Sequence, residues 1–310
     1  MNIVCFGEAL IDFKNTGPLA FQGYAGGSPM NVAVAAARLG GEVGFASQLS
    51  TDLFGSYLRG YMEENGVDTS LVLQNAAPST LAFVAEIAGE AHFEFVANAS
   101  ADTLYDPVPR PEFPAEVALL QFGSISLLKE PAATAITETV ARHRDGCLVV
   151  FDPNVRPALI DNKERYLASL AGWLALSHIV KVSAQDLRWL YPGVSFAELA
   201  KSWLALGPEV VIVTRGEGGV SLVRQGRDEL TVRAPQVAVV DTVGAGDTFT
   251  GALMVALLEH GHAKDVAGLS DDAWREILAF SAAAAAFNCT RAGAQPPYRE
   301  ELERFLEAGY

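Results

Sequence analysis

The sequence predicts an α/β fold: an open, mostly parallel β-sheet with helices on both faces, plus a small second β-sheet. Three observations predict it. From Ala115 onward, short apolar runs alternate with segments of helical period, the rhythm of strand, loop and helix units whose sheet is covered on both sides. The N-terminal run Ile3-Val4-Cys5-Phe6-Gly7 reads as a first parallel strand closed by glycine. Ser79 to Val96 breaks the rhythm. There Leu81, Phe83 and Ala85, then Ala91, Phe93 and Phe95, recur at every second position around Gly89-Glu90, the pattern of a hairpin. With residues 13–25, the 79–100 stretch can form a small sheet standing off one domain that spans 1–310; an extra edge hairpin on the main sheet is the alternative.

In chain order, residues Glu8 to Asp12 follow the first strand at its C-terminal end, where open α/β sheets place their sites. Asp12 is either a surface loop acid or a carboxylate able to accept from two hydroxyls. Gly26-Gly27-Ser28-Pro29 opens a helix with Ser28 as N-cap and Pro29 at its first position; Val32, Ala35, Ala36 and Leu39 form its buried face and Gly40 ends it. Asn31 falls in its first turn, either solvated or aimed at a ligand. Val117–Phe122, Cys147–Phe151, Ile179–Val182 and Val210–Thr214 read as strands, Ala132–His143 and Trp274–Phe287 as helices, and Val220–Val223 and Leu230–Val232 as further β-segments. Asp152, Asn154 and Arg156 lie past one strand end, as a self-contained loop network or a ligand site. Ser183 and Asp186 lie past the next, and Thr214, Gly216 and Gly219 past the one after.

Asp241-Thr242-Val243-Gly244-Ala245-Gly246-Asp247-Thr248-Phe249 carries the chemistry. Val237–Val240 reads as a buried strand before it and Thr248–His260 as an apolar helix after it, stopped by Gly261. A bare Gly-Ala-Gly turn at a helix mouth directs N–H groups at one point, and the helix dipole favours an anion there. Asp247 either caps this helix or accepts the proton of a hydroxyl that attacks a phosphate. The dipole is expected to keep it ionised, hence a weak base. Phe249 stands where a dinucleotide fingerprint needs its third glycine, and the chain contains no P-loop pattern.

With 310 residues, half of them apolar, the chain can bury a full core. A formal net charge of -15, from 37 acids against 22 bases, argues against nucleic acid or an anionic membrane as partner. Cys5, Cys147 and Cys289 lie scattered in apolar runs, as expected of reduced cysteines in a cytoplasmic protein. The early acids Glu8 and Asp12 are unlike a signal peptide, and the alanine run at 282–286 is too short to cross a bilayer.

Asp241 to Asp247 resembles the C-terminal signature of the ribokinase-like (PfkB) sugar kinases. Gly26-Gly27-Ser28-Pro29-Met30-Asn31-Val32-Ala33, running on to Arg38-Leu39-Gly40, resembles the N-terminal one. The likeness covers nearly the whole chain, and Phe151-Asp152-Pro153-Asn154-Val155-Arg156-Pro157 is most similar to the fructokinases. The resemblance implies a ribokinase-like three-layer sandwich with a β-lid that also serves as a homodimer surface, and transfer of the γ-phosphoryl of ATP to a sugar hydroxyl, with D-fructose the expected acceptor. By residue it implies Asp247 as base, with Gly244, Ala245 and Gly246 holding the transferring phosphoryl. Asp12, Gly27, Asn31, Arg156 and Asp247 would bind sugar; Ser183, Thr214, Gly216, Gly219 and Gly246 would bind nucleotide. K⁺ would be held by Asp241, Val243, Asn288, Arg291 and Gly293, with Pro297 where some relatives have serine. Mg²⁺ would be held through water by Asp186, in S-x-x-D where these enzymes commonly carry N-x-x-E. The alternatives are a 2-keto-3-deoxygluconate, ribose or nucleoside kinase, or a non-catalytic sugar or nucleotide sensor. Val96–Asp102 contains no arginine to pair with an acid sugar, and a sensor has no need of Asp247.

Overall fold

The computed structural model describes residues 1–87, 90–261 and 266–309. Its strands are β1 (Ile3–Phe6), β2 (Leu10–Gly17), β3 (Ala20–Gly26), β4 (Val43–Ser50), β5 (Val72–Asn75), β6 (Leu81–Ile87), β7 (Glu90–Val96), β8 (Leu119–Gly123), β9 (Leu148–Asp152), β10 (Ile179–Ser183), β11 (Val210–Thr214), β12 (Val220–Arg224) and β13 (Leu230–Val232). Its helices are α1 (Ser28–Arg38), α2 (Leu53–Glu64), α3 (Ala132–His143), α4 (Lys163–Leu176), α5 (Ala184–Leu190), α6 (Phe196–Leu204), α7 (Ala245–Glu259), α8 (Asp271–Asn288) and α9 (Arg299–Glu307).

Nine strands form the main sheet in the order β13-β12-β11-β10-β9-β8-β1-β4-β5. It is parallel except for β12, which runs antiparallel to both neighbours. Alternation along β1 serves both faces. Ile3 and Cys5 join the core under α1, α2, α7, α8 and α9, while Val4 and Phe6 join the core under α3, α4, α5 and α6. The expected three-layer α/β sandwich is therefore the fold observed. The chain leaves β1 toward β4 and β5 on one side and returns through β8 to β13 on the other, so the order reverses at β1. A crevice outside the strand ends forms at such a reversal.

The second sheet has the order β3-β2-β6-β7, with β2 and β6 parallel and the outer pairs antiparallel. It is a sheet of its own rather than an edge of the main one. Phe13 stacks on Phe83 at 5.2 Å between centroids, and Phe21 meets Phe83 edge-on at 5.3 Å, cross-strand pairs that stabilise a small sheet. Gly89, the expected turn glycine, lies outside the described residues.

One expected strand is absent. Val237–Val240 is irregular, and Val239 and Val240 are 51% and 64% exposed. Its valines suggested burial, but no strand pairs with it; Val240 N–H donates instead to the carbonyl of Cys289 at the end of α8. Conversely, β4 was not anticipated. All eight of its residues are buried, including Ser47, Gln48 and Ser50, so it lacks both the alternation and the apolar run that mark strands from sequence.

Candidate active site

Two helix N-termini face each other over the end of β1. Gly251 makes this possible, because a Cβ there would stand 2.8 Å from both Ala35 Cβ and the Val32 carbonyl oxygen, so α7 and α1 pack almost backbone to backbone. Across this contact Ser28 Oγ donates to Asp247 Oδ1 at 2.6 Å and Asn31 Nδ2 donates to Asp247 Oδ2 at 2.9 Å. Ser28 is therefore not the N-cap expected of it. Gly27 holds that position with φ 106°, and Ser28 is the first helical residue. A Cβ on Gly27 would come within 2.6 Å of the Glu8 carbonyl oxygen.

Asp247 is only 9% exposed. Burial pushes its carboxyl above the ordinary range, against the lowering effect of the Ser28 and Asn31 hydrogen bonds and of Lys181. The helix dipole was expected to keep this acid ionised and a weak base; burial works against that, and a raised pKa makes a better base. The side chain does not cap its own helix; Gly244 is the cap, in the left-handed region at φ 76°. Of the turn's N–H groups, that of Ala245 donates to the Thr242 carbonyl at 3.2 Å. The N–H of Gly246, in the first turn of α7, is among the donors a helix cannot satisfy internally.

Asp12 lies in β2, opposite Tyr24, and not in a loop. Its carboxyl fills the space that a Cβ on Gly26 would need. Burial raises its pKa to about 6, the nearby Arg156 guanidinium pulls it down, and the Asp247 charge pushes it up. Arg156 Nη1 donates to Asn154 Oδ1 at 2.7 Å, and Asn154 N–H donates to Asp152 Oδ1 at 3.1 Å. The loop network thus exists and also sets Arg156 beside Asp12. Asp12, Asn31, Arg156 and Asp247 converge on one place.

The nucleotide candidates follow neighbouring strands. Ser183 and Thr214 are direct register partners at the ends of β10 and β11. Gly216–Gly218 forms a single turn capped by Gly219 at φ 82°, where a Cβ would run into the Val232 carbonyl. Ser183 Oγ accepts from Asp186 N–H as the N-cap of α5. The Asp186 pKa is raised by burial first and by Asp152 second.

Four of the five potassium candidates meet. Asp241 accepts from the N–H groups of Val243 and Gly293 at 3.1 and 3.0 Å, and Asn288 Nδ2 donates to the Val243 carbonyl at 2.8 Å. The Lys14 ammonium, reaching over from β2, sits 3.0 Å from Asp241 Oδ2. The Arg291 side chain turns away to Glu301 at 2.8 Å.

Three residues escaped the sequence reading. Glu8 is 2% exposed, its pKa is raised to about 7 chiefly by burial, and Ser126 is hydrogen-bonded to its carboxylate. Ser28 was read as a local cap. Lys181 was read as one position in a strand, yet its Nζ is 2.7 Å from Asp152 Oδ2 with both side chains almost fully buried. A lysine in an apolar strand run was the available signal for the last.

The family described as pfkB family carbohydrate kinase matches residues 1–301. A fructokinase of Klebsiella pneumoniae is 33% identical over 306 residues, covering 97% of each chain. The crystal structure of a fructokinase from Xylella fastidiosa with bound ATP superposes with a TM-score of 0.86 at 31% identity, covering 99% of this chain and 98% of that one. A double mutant of the Vibrio cholerae O395 fructokinase, in a form binding fructose, ADP and potassium ion, gives 0.87 at 25% identity, covering 98% and 97%.

Proposed function

This chain belongs to the pfkB family of carbohydrate kinases, and from that premise we propose that it transfers the γ-phosphoryl of ATP to a hydroxyl of D-fructose. The observation that carries the site assignment is the convergence on Asp247: a buried carboxylate with raised pKa, oriented by Ser28 and Asn31 and flanked by Asp12. The sugar lies against Asp12, Asn31 and Arg156, with Gly27 letting the backbone come close. Asp247 takes the proton of the attacking hydroxyl as the oxygen becomes acidic. The N–H groups of the cap residue Gly244 and of Gly246 in the first turn, with the positive end of α7, hold the charge on the transferring phosphoryl. Ser183, Thr214, Gly216 and Gly219 border the nucleotide. The lid sheet covers the sugar and keeps water from taking the phosphoryl group.

The donor chemistry fits Mg²⁺ near Asp186. Burial first and the Asp152 charge second raise the Asp186 pKa, and a cation beside this carboxylate would offset both. Among the described residues no group of three or more His, Cys, Asp or Glu could hold a metal ion, which suits an ion shared between a carboxylate, water and phosphates. Mg²⁺ neutralises phosphate charge when bound. The Asp241 cluster fits a monovalent cation, since the Lys14 ammonium already rests on it; Asp241, Val243, Asn288 and Gly293 would hold K⁺, together with backbone at Arg291. Exposed Phe21 and Val96 on the second sheet, with Leu19 in the turn between β2 and β3, support a homodimer through the lid. Among the described residues Cys5, Cys147 and Cys289 form no disulfide, which suits the reducing cytoplasm. No described helix is long and apolar enough to cross a membrane.

The test is ADP release with ATP, Mg²⁺ and K⁺ against fructose, ribose, 2-keto-3-deoxygluconate and nucleosides. Fructose is expected to give the highest kcat/KM, and binding without turnover of any acceptor would favour the sensor reading. Asp247→Asn should lower kcat by about 10²-fold or more, with ATP affinity nearly unchanged; retained turnover would refute the base assignment.

A further inference from the structure

We propose that Lys181, paired with Asp152 beneath the glycine turn, is a positioning residue for phosphoryl transfer, its ammonium being the fixed positive charge that faces Asp247 from inside the protein. The inference rests on the kinase reading and deepens it.

The geometry is specific. Lys181 lies in β10 between Val180 and Val182 and is 3% exposed. Its Nζ is 2.7 Å from Asp152 Oδ2, and Asp152 is 2% exposed. A Cβ built on Gly246 would lie 2.8 Å from the same Nζ. The second glycine of the turn thus has a neighbour in this lysine: it leaves room for the ammonium rather than for an empty hole. A buried ion pair is a poor device for stability, because desolvating two charges offsets their attraction. A compact ammonium is a good device for placing charge at one point.

That point is shared by three acids. Asp152 touches the ammonium, and the carboxyls of Asp247 and Asp186 are both lowered by it and raised by Asp152. The charged groups facing Asp247 are Lys181 on β10, Asp152 on β9 and Asp12 on β2, whose own charge is balanced by Arg156; α1 contributes the neutral Ser28 and Asn31. Of these, Lys181 is a cation whose charge lowers the Asp247 pKa. Removing it makes the base harder to ionise; removing Asp152 does the opposite. The opposition of sign follows from where the pair stands, next to the turn that carries Asp247, and gives each member its own readout in the pH profile.

The experiment is kcat against pH, at saturating sugar, ATP and Mg²⁺ so that the titration of Asp12 in sugar binding drops out, for the wild type, Lys181→Met, Asp152→Asn and the double variant. The acid limb should move up by about one pH unit or more in Lys181→Met, as expected for loss of a close opposite charge, and down in Asp152→Asn. The double variant leaves no unpaired buried charge, so it remains informative if Lys181→Met fails to fold. Its limb should lie above that of Asp152→Asn. Coincident limbs in those two, or rates scaled equally at every pH with the limbs unmoved, would overturn the inference while leaving an active wild type and the kinase reading intact. A wild type that phosphorylates no sugar would overturn both.

Discussion

The pKa of Asp12 gives a quantitative expectation for sugar binding. Burial and the Asp247 charge hold this carboxyl at about 6, against an ordinary 3.8, in spite of the Arg156 guanidinium. In the proposed role, the ionised carboxylate accepts from two sugar hydroxyls; protonated, it would lose acceptor strength. With a midpoint near 6 it is roughly nine-tenths ionised at pH 7 and one-tenth at pH 5. The KM for fructose should therefore rise about tenfold between pH 7 and pH 5, while the KM for ATP stays flat. Arg156→Gln removes the lowering influence, so the midpoint should move to higher pH and the fructose KM should already be raised at pH 7. Stability runs the other way. The folded pKa lies above the unfolded one, so the associated stability is fully present below about pH 4 and is lost as pH rises through 6, amounting to at most about 3 kcal/mol by pH 7. Asp12→Asn should thus raise Tm at pH 7 while weakening fructose binding and abolishing its pH dependence, the trade expected of a functional residue. Initial rates over pH 5 to 8 with each substrate varied in turn, alongside thermal melts, test all of this. A fructose KM that is flat over that range, or that moves in parallel with the KM for ATP, would refute the reasoning.

Two further outcomes follow from the same geometry. Gly244→Ala places a side chain at φ 76° with its Cβ 2.5 Å from Ala294 Cβ, so it should cost about 1–2 kcal/mol for the left-handed backbone alone, more with the clash, and lower both Tm and kcat; an unchanged melt would show that the turn can relax. Glu8, raised to about 7 from 4.5 mainly by burial, contributes stability below about pH 4.5 that is lost as pH rises through 7, so Glu8→Gln should raise Tm at pH 8 more than at pH 5, and equal gains at both would refute the assignment.

Much of the molecule was legible along the chain. α3, β11 and β13 have the bounds their residue patterns predict, because helical and strand periodicity are local properties. The bare turn at Asp241–Asp247 was readable for the same reason: two glycines ahead of an apolar helix dictate an open helix mouth wherever it lands. Val237–Val240 shows the limit. Four apolar residues look the same whether they pair in a sheet or lie along the end of α8, and only the presence of a neighbouring strand decides.

The sequence by itself determined the strongly periodic elements, the bare turn at the mouth of α7 and the identity of the acid placed there. Tertiary structure decided what that acid is. Ser28 and Asn31 reach Asp247 from 219 and 216 positions away, Lys181 stands under Gly246 from another strand, and the packed interior shuts out the water that would hold the carboxyl at its ordinary pKa. Periodicity and turn chemistry are written in adjacent residues. Desolvation and the field of distant charges exist only once the chain has closed around them.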